Sequence, residues 1–238
     1  MKKMLVSDYD QTLHFDTLTF YFNLRKINQF RENNNLFVLS TGRNYKSIMA
    51  EIIQYNIPYD YLSCSNGAEL YDRSNKLVYA SYIDKIIIDY LELVTKDTNL
   101  IKSINKTGAY NQKAHDQAIN CLINFSSLES LKQINTELKE TYRTIETVKW
   151  LKSLLIYNTG VNKSLTIEKI KEIEKVEDDN IFTIGDHNND VSMVRDYNGF
   201  NMLWATRKVR EHSLKGYLTV GQLIDDINTE RAKIRIKK

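Results

Sequence analysis

The chain has 238 residues, of which 42% are apolar and 26% charged, with a net charge of +3. This ordinary globular balance makes no electrostatic case for nucleic acid or an anionic membrane as partner. Its two cysteines, Cys64 and Cys121, stand far apart without knuckle spacing, which excludes a disulfide framework and fits a reducing compartment. The N-terminus reaches Asp8 before a signal peptide's apolar core could form, and no apolar run is long enough to span a bilayer. A cytoplasmic protein is therefore expected.

In chain order, Met4–Val6 reads as a short strand that ends at Ser7-Asp8. Leu18 to Phe30 suggests a helix, Leu36–Leu39 a second strand ending at Ser40-Thr41-Gly42, and Ile48, Ile52 and Tyr55 a helix face. Tyr61–Cys64 is a third strand, ending at Asn66-Gly67. Farther on, Ile167, Ile170 and Ile173 mark a helix ahead of the strand Ile181–Ile184, which ends at Gly185-Asp186. Strands alternating with helices predict βαβ units and a mostly parallel, Rossmann-like α/β core. The middle differs: Cys121–Phe125, a helix through Leu128, Leu131, Ile134 and Leu138, then Tyr142–Val148 and Ser153–Tyr157 predict a smaller α+β unit. The expected division is a core of 1–82 and 159–238 with an insertion at 83–158. The chain ends in a basic stretch, Glu230–Lys238, read as a solvated tail.

Each core strand ends in polar residues, and ligands bind at the carboxyl ends of strands in open parallel sheets. Asp8 and Asp10 can serve metal binding with nucleophilic or acid–base work; they can equally be turn or cap aspartates. Thr41-Gly42 offers a hydroxyl and a free backbone N–H to a phosphate oxygen, or is an N-cap with a loop glycine. Lys163, next to a helix N-terminus, opposes the dipole's preference for negative charge and so points to an anion, although a solvated lysine is the common case. Gly185-Asp186-His187-Asn188-Asn189-Asp190 is the densest polar cluster. Its two aspartates are hard oxygen donors suited to Mg²⁺, against the alternative of an Asx-rich turn opening a helix.

Taken together these segments resemble the haloacid dehalogenase superfamily, in its Cof-type sugar-phosphatase branch. Asp8-Tyr9-Asp10-Gln11-Thr12-Leu13 is similar to the first family motif, and Ser40-Thr41-Gly42-Arg43 to the second. Ser65-Asn66-Gly67-Ala68 is similar to a segment typical of the branch, Gly160-Val161-Asn162-Lys163 to the third motif, and Gly185–Asp190 to the fourth. Gln11 stands where the branch usually has glycine, Thr159 replaces a usual proline, and Gly199–Met202 is a worn version of a late segment. The resemblance implies a parallel-sheet core with an inserted cap, and a Mg²⁺-dependent phosphatase acting on a small organic phosphate ester. It implies Asp8 as nucleophile and Asp10 as general acid and base. Asp8, the Asp10 carbonyl and Asp186 would hold Mg²⁺ with Asp190 in support, while Thr41, Gly42, Lys163 and Asn189 hold the phosphoryl group. A phosphosugar mutase and a non-catalytic phosphosugar-binding regulator are the alternatives on the same fold. The substrate and the oligomeric state are left open. Tyr110, Asn111 and His115 are noted only as residues able to line a ligand.

Overall fold

A computed structural model describes residues 1–111 and 117–232. His115 and most of the basic tail lie outside the described residues. The elements run β1 (Met4–Asp8), α1 (Thr17–Glu32), β2 (Leu36–Ser40), α2 (Tyr45–Tyr55), β3 (Tyr61–Cys64), β4 (Glu69–Asp72) and β5 (Leu77–Ala80). There follow α3 (Lys85–Asp97), β6 (Ile101–Thr107), β7 (Asn120–Phe125), α4 (Leu128–Thr141), β8 (Ile145–Trp150) and β9 (Ser153–Asn158). The last part holds α5 (Lys163–Glu174), β10 (Ile181–Gly185), α6 (Val191–Asp196), β11 (Asn198–Met202), α7 (Arg207–His212), β12 (Gly216–Tyr217) and α8 (Val220–Asn228). Among the described residues no helix is long and apolar enough to cross a membrane.

The chain divides into two compact units, 1–79 with 162–238, and 80–161. The first is built on an eight-stranded sheet in the order β12-β11-β10-β1-β2-β3-β4-β5, parallel from β12 to β3 and antiparallel between β3 and β4. Every residue of β1, β2, β3 and β10 is buried. Both faces of these strands are covered, so they read as unbroken apolar runs rather than as alternation. The chain leaves β1 toward β2 on one side, whereas β10 pairs with β1 on the other, so the strand order reverses at β1, the crevice position in such sheets.

The second unit carries a four-stranded antiparallel sheet, β6-β7-β9-β8. Burial alternates along β7 and β9, as one covered face requires. Cys121, Ile123, Phe125, Leu154 and Ile156 form one cluster with Ile87, Ile88 and Leu91 of α3 and Leu131, Ile134 and Leu138 of α4.

Two sequence expectations need correction. Tyr142 belongs to the end of α4, its N–H bonded to Leu138 O at 2.8 Å, and the strand starts only at Ile145. Ile173 is 51% exposed, whereas Ile167 and Ile170 are buried. A step of three residues falls about 60° short of a full turn, so two such steps carry Ile173 off the buried face.

Candidate active site

The last residue of β1 is Asp8, buried, with Oδ1 2.5 Å from Lys163 Nζ. Lys163 is the first residue of α5 and fully buried. Its ammonium also donates to Asp190 Oδ1 at 2.6 Å and to the Ser40 carbonyl at 3.1 Å. Asn162 holds the lysine in place as N-cap, its side chain accepting from the N–H groups of Ser164 and Leu165. The misfit of a lysine at a helix N-terminus is thus resolved by two carboxylates and not by solvent.

Asp190 accepts three hydrogen bonds. While Oδ1 takes Lys163, Oδ2 accepts the backbone N–H groups of Asp186 and His187, both at 2.9 Å. This draws the loop after β10 into a tight turn, closed so firmly that a Cβ on Gly185 would lie 2.5 Å from that of Asp190. Asp186 is half-buried and accepts from Thr12 Oγ1 at 2.9 Å. Ligand oxygens of Asp8, Asp186 and Asp190 all lie within 4.8 Å of one another.

Burial pushes the Asp8 carboxyl up to about 7; Lys163 pulls it down, but Asp190 and Asp186 add to the rise. Asp186 is raised chiefly by burial as well. Burial works against the Lys163 ammonium, yet Asp190 and Asp8 outweigh it and hold the lysine protonated, above its ordinary value. With all three carboxylates ionised against one ammonium, the site is two charges negative. A hard divalent cation fits that deficit and that donor set.

A cleft of about 390 Å³ opens over these groups, lined by Asp8, Asp10, Gln11, Gly42, Arg43, Asp186, His187 and Asn189. Asp10 does not bring its carboxylate to the acidic trio; it forms a two-pronged ion pair with Arg43, Nε to Oδ2 at 2.9 Å and Nη2 to Oδ1 at 2.6 Å. Thr41 is fully buried, and its hydroxyl accepts the Arg43 N–H at 3.1 Å, which leaves the hydroxyl proton to donate. Asn189 is exposed at the rim and donates to Asn66 Oδ1 at 2.9 Å.

Sequence reasoning assigned no role to Thr12, Arg43 or Asn66. Asn66 and Gly67 form a left-handed turn after β3, with φ of 57° and 97°. At Gly67 a Cβ would come 2.1 Å from the Asn162 carbonyl, so only glycine lets this turn pack against the start of α5. Gln11 also adopts a left-handed φ, 60°, at the position where the resembled branch carries glycine. The signal for Asn66 was the Asn-Gly pair itself, and for Arg43 its place directly after Gly42.

A family model described as sucrose-6F-phosphate phosphohydrolase matches residues 1–201. An uncharacterised protein of Mycoplasma capricolum is 26% identical over 237 residues, covering 81% of this chain and 87% of that protein. Among solved structures, a haloacid dehalogenase-like hydrolase from Bacteroides thetaiotaomicron superposes with a TM-score of 0.76 at 18% identity, over 95% of this chain and all of its own. A sugar phosphatase of subclass IIB in the same superfamily superposes with a TM-score of 0.69 at 15% identity, over 95% of this chain and 99% of its own.

Proposed function

The chain belongs to the sucrose-6F-phosphate phosphohydrolase family of haloacid dehalogenase-type phosphatases, and from that premise we propose that it hydrolyses a phosphorylated sugar or similar small phosphate ester through an aspartyl-phosphate on Asp8. The observation that carries this reading is the Asp8 carboxylate at the end of β1, held at 2.5 Å by a buried lysine and opening onto the cleft. The family description and the structurally similar sugar phosphatase support a sugar phosphate as the ester.

In the first step an oxygen of Asp8 attacks phosphorus. The bond from phosphorus to the ester oxygen breaks, and Asp10 gives that oxygen a proton. In the second, water attacks the phosphorus of the aspartyl-phosphate and passes a proton to Asp10. Phosphate leaves and Asp8 is restored. Lys163 orients Asp8 and offsets the repulsion between its carboxylate and a phosphate dianion. Thr41, the Gly42 N–H and Asn189 are the donors assigned to the phosphoryl oxygens. Asp8, Asp186 and the Asp10 carbonyl would hold Mg²⁺, with Asp190 fixing the loop that presents Asp186. When bound, the ion supplies positive charge to the transferring phosphoryl group. The choice among esters we assign to residues 80–161.

The test is phosphate release from a panel of sugar phosphates by purified protein, with Mg²⁺ and with chelator. The wild type is expected to turn over with the metal and stop without it, and Asp8→Asn is expected to lose activity by roughly 10⁴-fold or more while staying folded. Full activity of Asp8→Asn would remove the nucleophile assignment.

A further inference from the structure

Asp10 poses a positioning problem. Its side chain is 52% exposed, and a carboxyl that free could not by itself stay aimed at a leaving group. Among the described residues its carboxylate is held by the side chain of Arg43, whose guanidinium grips both oxygens. A two-pronged contact fixes the plane of the carboxyl as well as its distance.

Arg43 is itself long and 30% exposed, yet it is tied down from behind. Nη1 donates to Glu51 Oε1 at 2.9 Å, and the guanidinium carbon lies 5.0 Å from the centre of the Tyr9 ring. Glu51 Oε2 accepts from the Tyr9 hydroxyl at 2.9 Å, and that hydroxyl also meets His14 Nδ1 at 2.9 Å. Tyr9 has one hydroxyl proton, which goes to the carboxylate, so His14 must present an N–H at Nδ1 to the tyrosine oxygen. His14 in turn stacks on Phe20 at 4.1 Å. The result is a directed chain, from His14 through Tyr9 to Glu51, with Arg43 bridging Glu51 to Asp10. Tyr9 is fully buried between the two aspartates in sequence, which gives the chain a rigid anchor.

We propose that Arg43 is the positioning residue for the acid–base carboxyl of Asp10, and that Glu51, Tyr9 and His14 form the mount that holds its guanidinium. The inference rests on the acid–base reading of Asp10. It adds a reason for an arginine here. Asp10 becomes a full carboxylate as its proton passes to the ester oxygen, and a fork donating to both oxygens is matched to that product form. The contact therefore strengthens as the transition state is reached, which is the condition for an interaction to speed the step. A lysine would offer a point charge without the fork.

The experiment measures phosphoryl transfer to Asp8 by rapid quench for a sugar phosphate and for 4-nitrophenyl phosphate. Arg43→Ala, Arg43→Lys and Glu51→Gln are compared with Asp10→Asn. The sugar is a poor leaving group that needs the acid, whereas nitrophenolate needs little help. All three variants of the chain should slow the sugar phosphate by about 10²-fold or less, with a several-fold smaller loss on the aryl ester and little change in KM. Added guanidinium, below denaturing concentration, should restore part of the loss in Arg43→Ala only for the sugar phosphate. Equal losses on both esters together with a raised KM would make Arg43 a phosphate ligand and overturn the proposal. Were Asp10→Asn also to lose equally on both, the acid assignment would fall and the proposal with it. Were Asp10→Asn alone to discriminate, only the Arg43 proposal would fall.

Discussion

Around Asp8 three carboxylates cluster, and the ammonium of Lys163 bonds two of them, Asp8 and Asp190. The two oxygens of Asp190 accept from Lys163 and from two backbone N–H groups, which closes the loop after β10. Asp8 bears the consequence of burial among like charges, with its carboxyl raised from 3.8 to about 7. Between those values the folded protein keeps a proton that the unfolded chain gives up. Without metal the contribution of Asp8 to stability should therefore fall as pH rises through this window. A divalent cation binds the ionised form and should offset the fall. Melting temperatures against pH, for wild type relative to Asp8→Asn and with and without Mg²⁺, check this. A metal stabilisation that grows toward pH 7 is expected, and one that shrinks would contradict the charge account. The residue types were legible because the aspartates follow apolar strands and the lysine sits at the start of a helix, against the dipole. The partner of Asp10 was not, because Arg43 lies 33 positions away and Glu51 farther still. Spacing along the chain carries no trace of such a contact.

The elements deliver these side chains through two junctions. One is the loop after β10, closed by Asp190. The other is the packing of the Ser65–Gly67 turn on the first residues of α5, where Gly67 has φ +97° and no room for a Cβ. Gly67→Ala should cost roughly 2 kcal/mol or more in denaturant unfolding and should lower activity beyond that loss, since the atom it strikes precedes Lys163. Asn162→Ala removes the N-cap and should cost about 1 kcal/mol. A neutral Gly67→Ala would mean that the turn does not set the lysine. Strands β1, β2, β3 and β10 were readable since both faces are covered. By contrast β11, Asn-Gly-Phe-Asn-Met, hides its burial behind polar residues. Asn198 is buried because its amide donates to the carbonyls of Asp178, Asp179 and Ile181. Neither α3 nor β6 was read from the sequence, and β12 is only two residues long, too short to show a period.

For the whole molecule, the parallel sheet and the acidic cleft lie in one unit, while residues 80–161 form a second core of their own, and the family match runs through both. That separation suits a division of labour between chemistry and selection. Exchanging 80–161 for the corresponding segment of a related phosphatase should change the ranking among sugar phosphates on the order of 10–100-fold in kcat/KM, and nitrophenyl phosphate hydrolysis far less. An unchanged ranking would return selectivity to the core. The central claim, that phosphate passes through Asp8, is tested most directly by acid quench during turnover of a ³²P-labelled ester, followed by peptide mapping. The account requires label on the peptide that contains Asp8, labile to hydroxylamine, formed no more slowly than turnover and accumulating in Asp10→Asn. Turnover with no protein-bound phosphate at any time, or label on another residue, would contradict it.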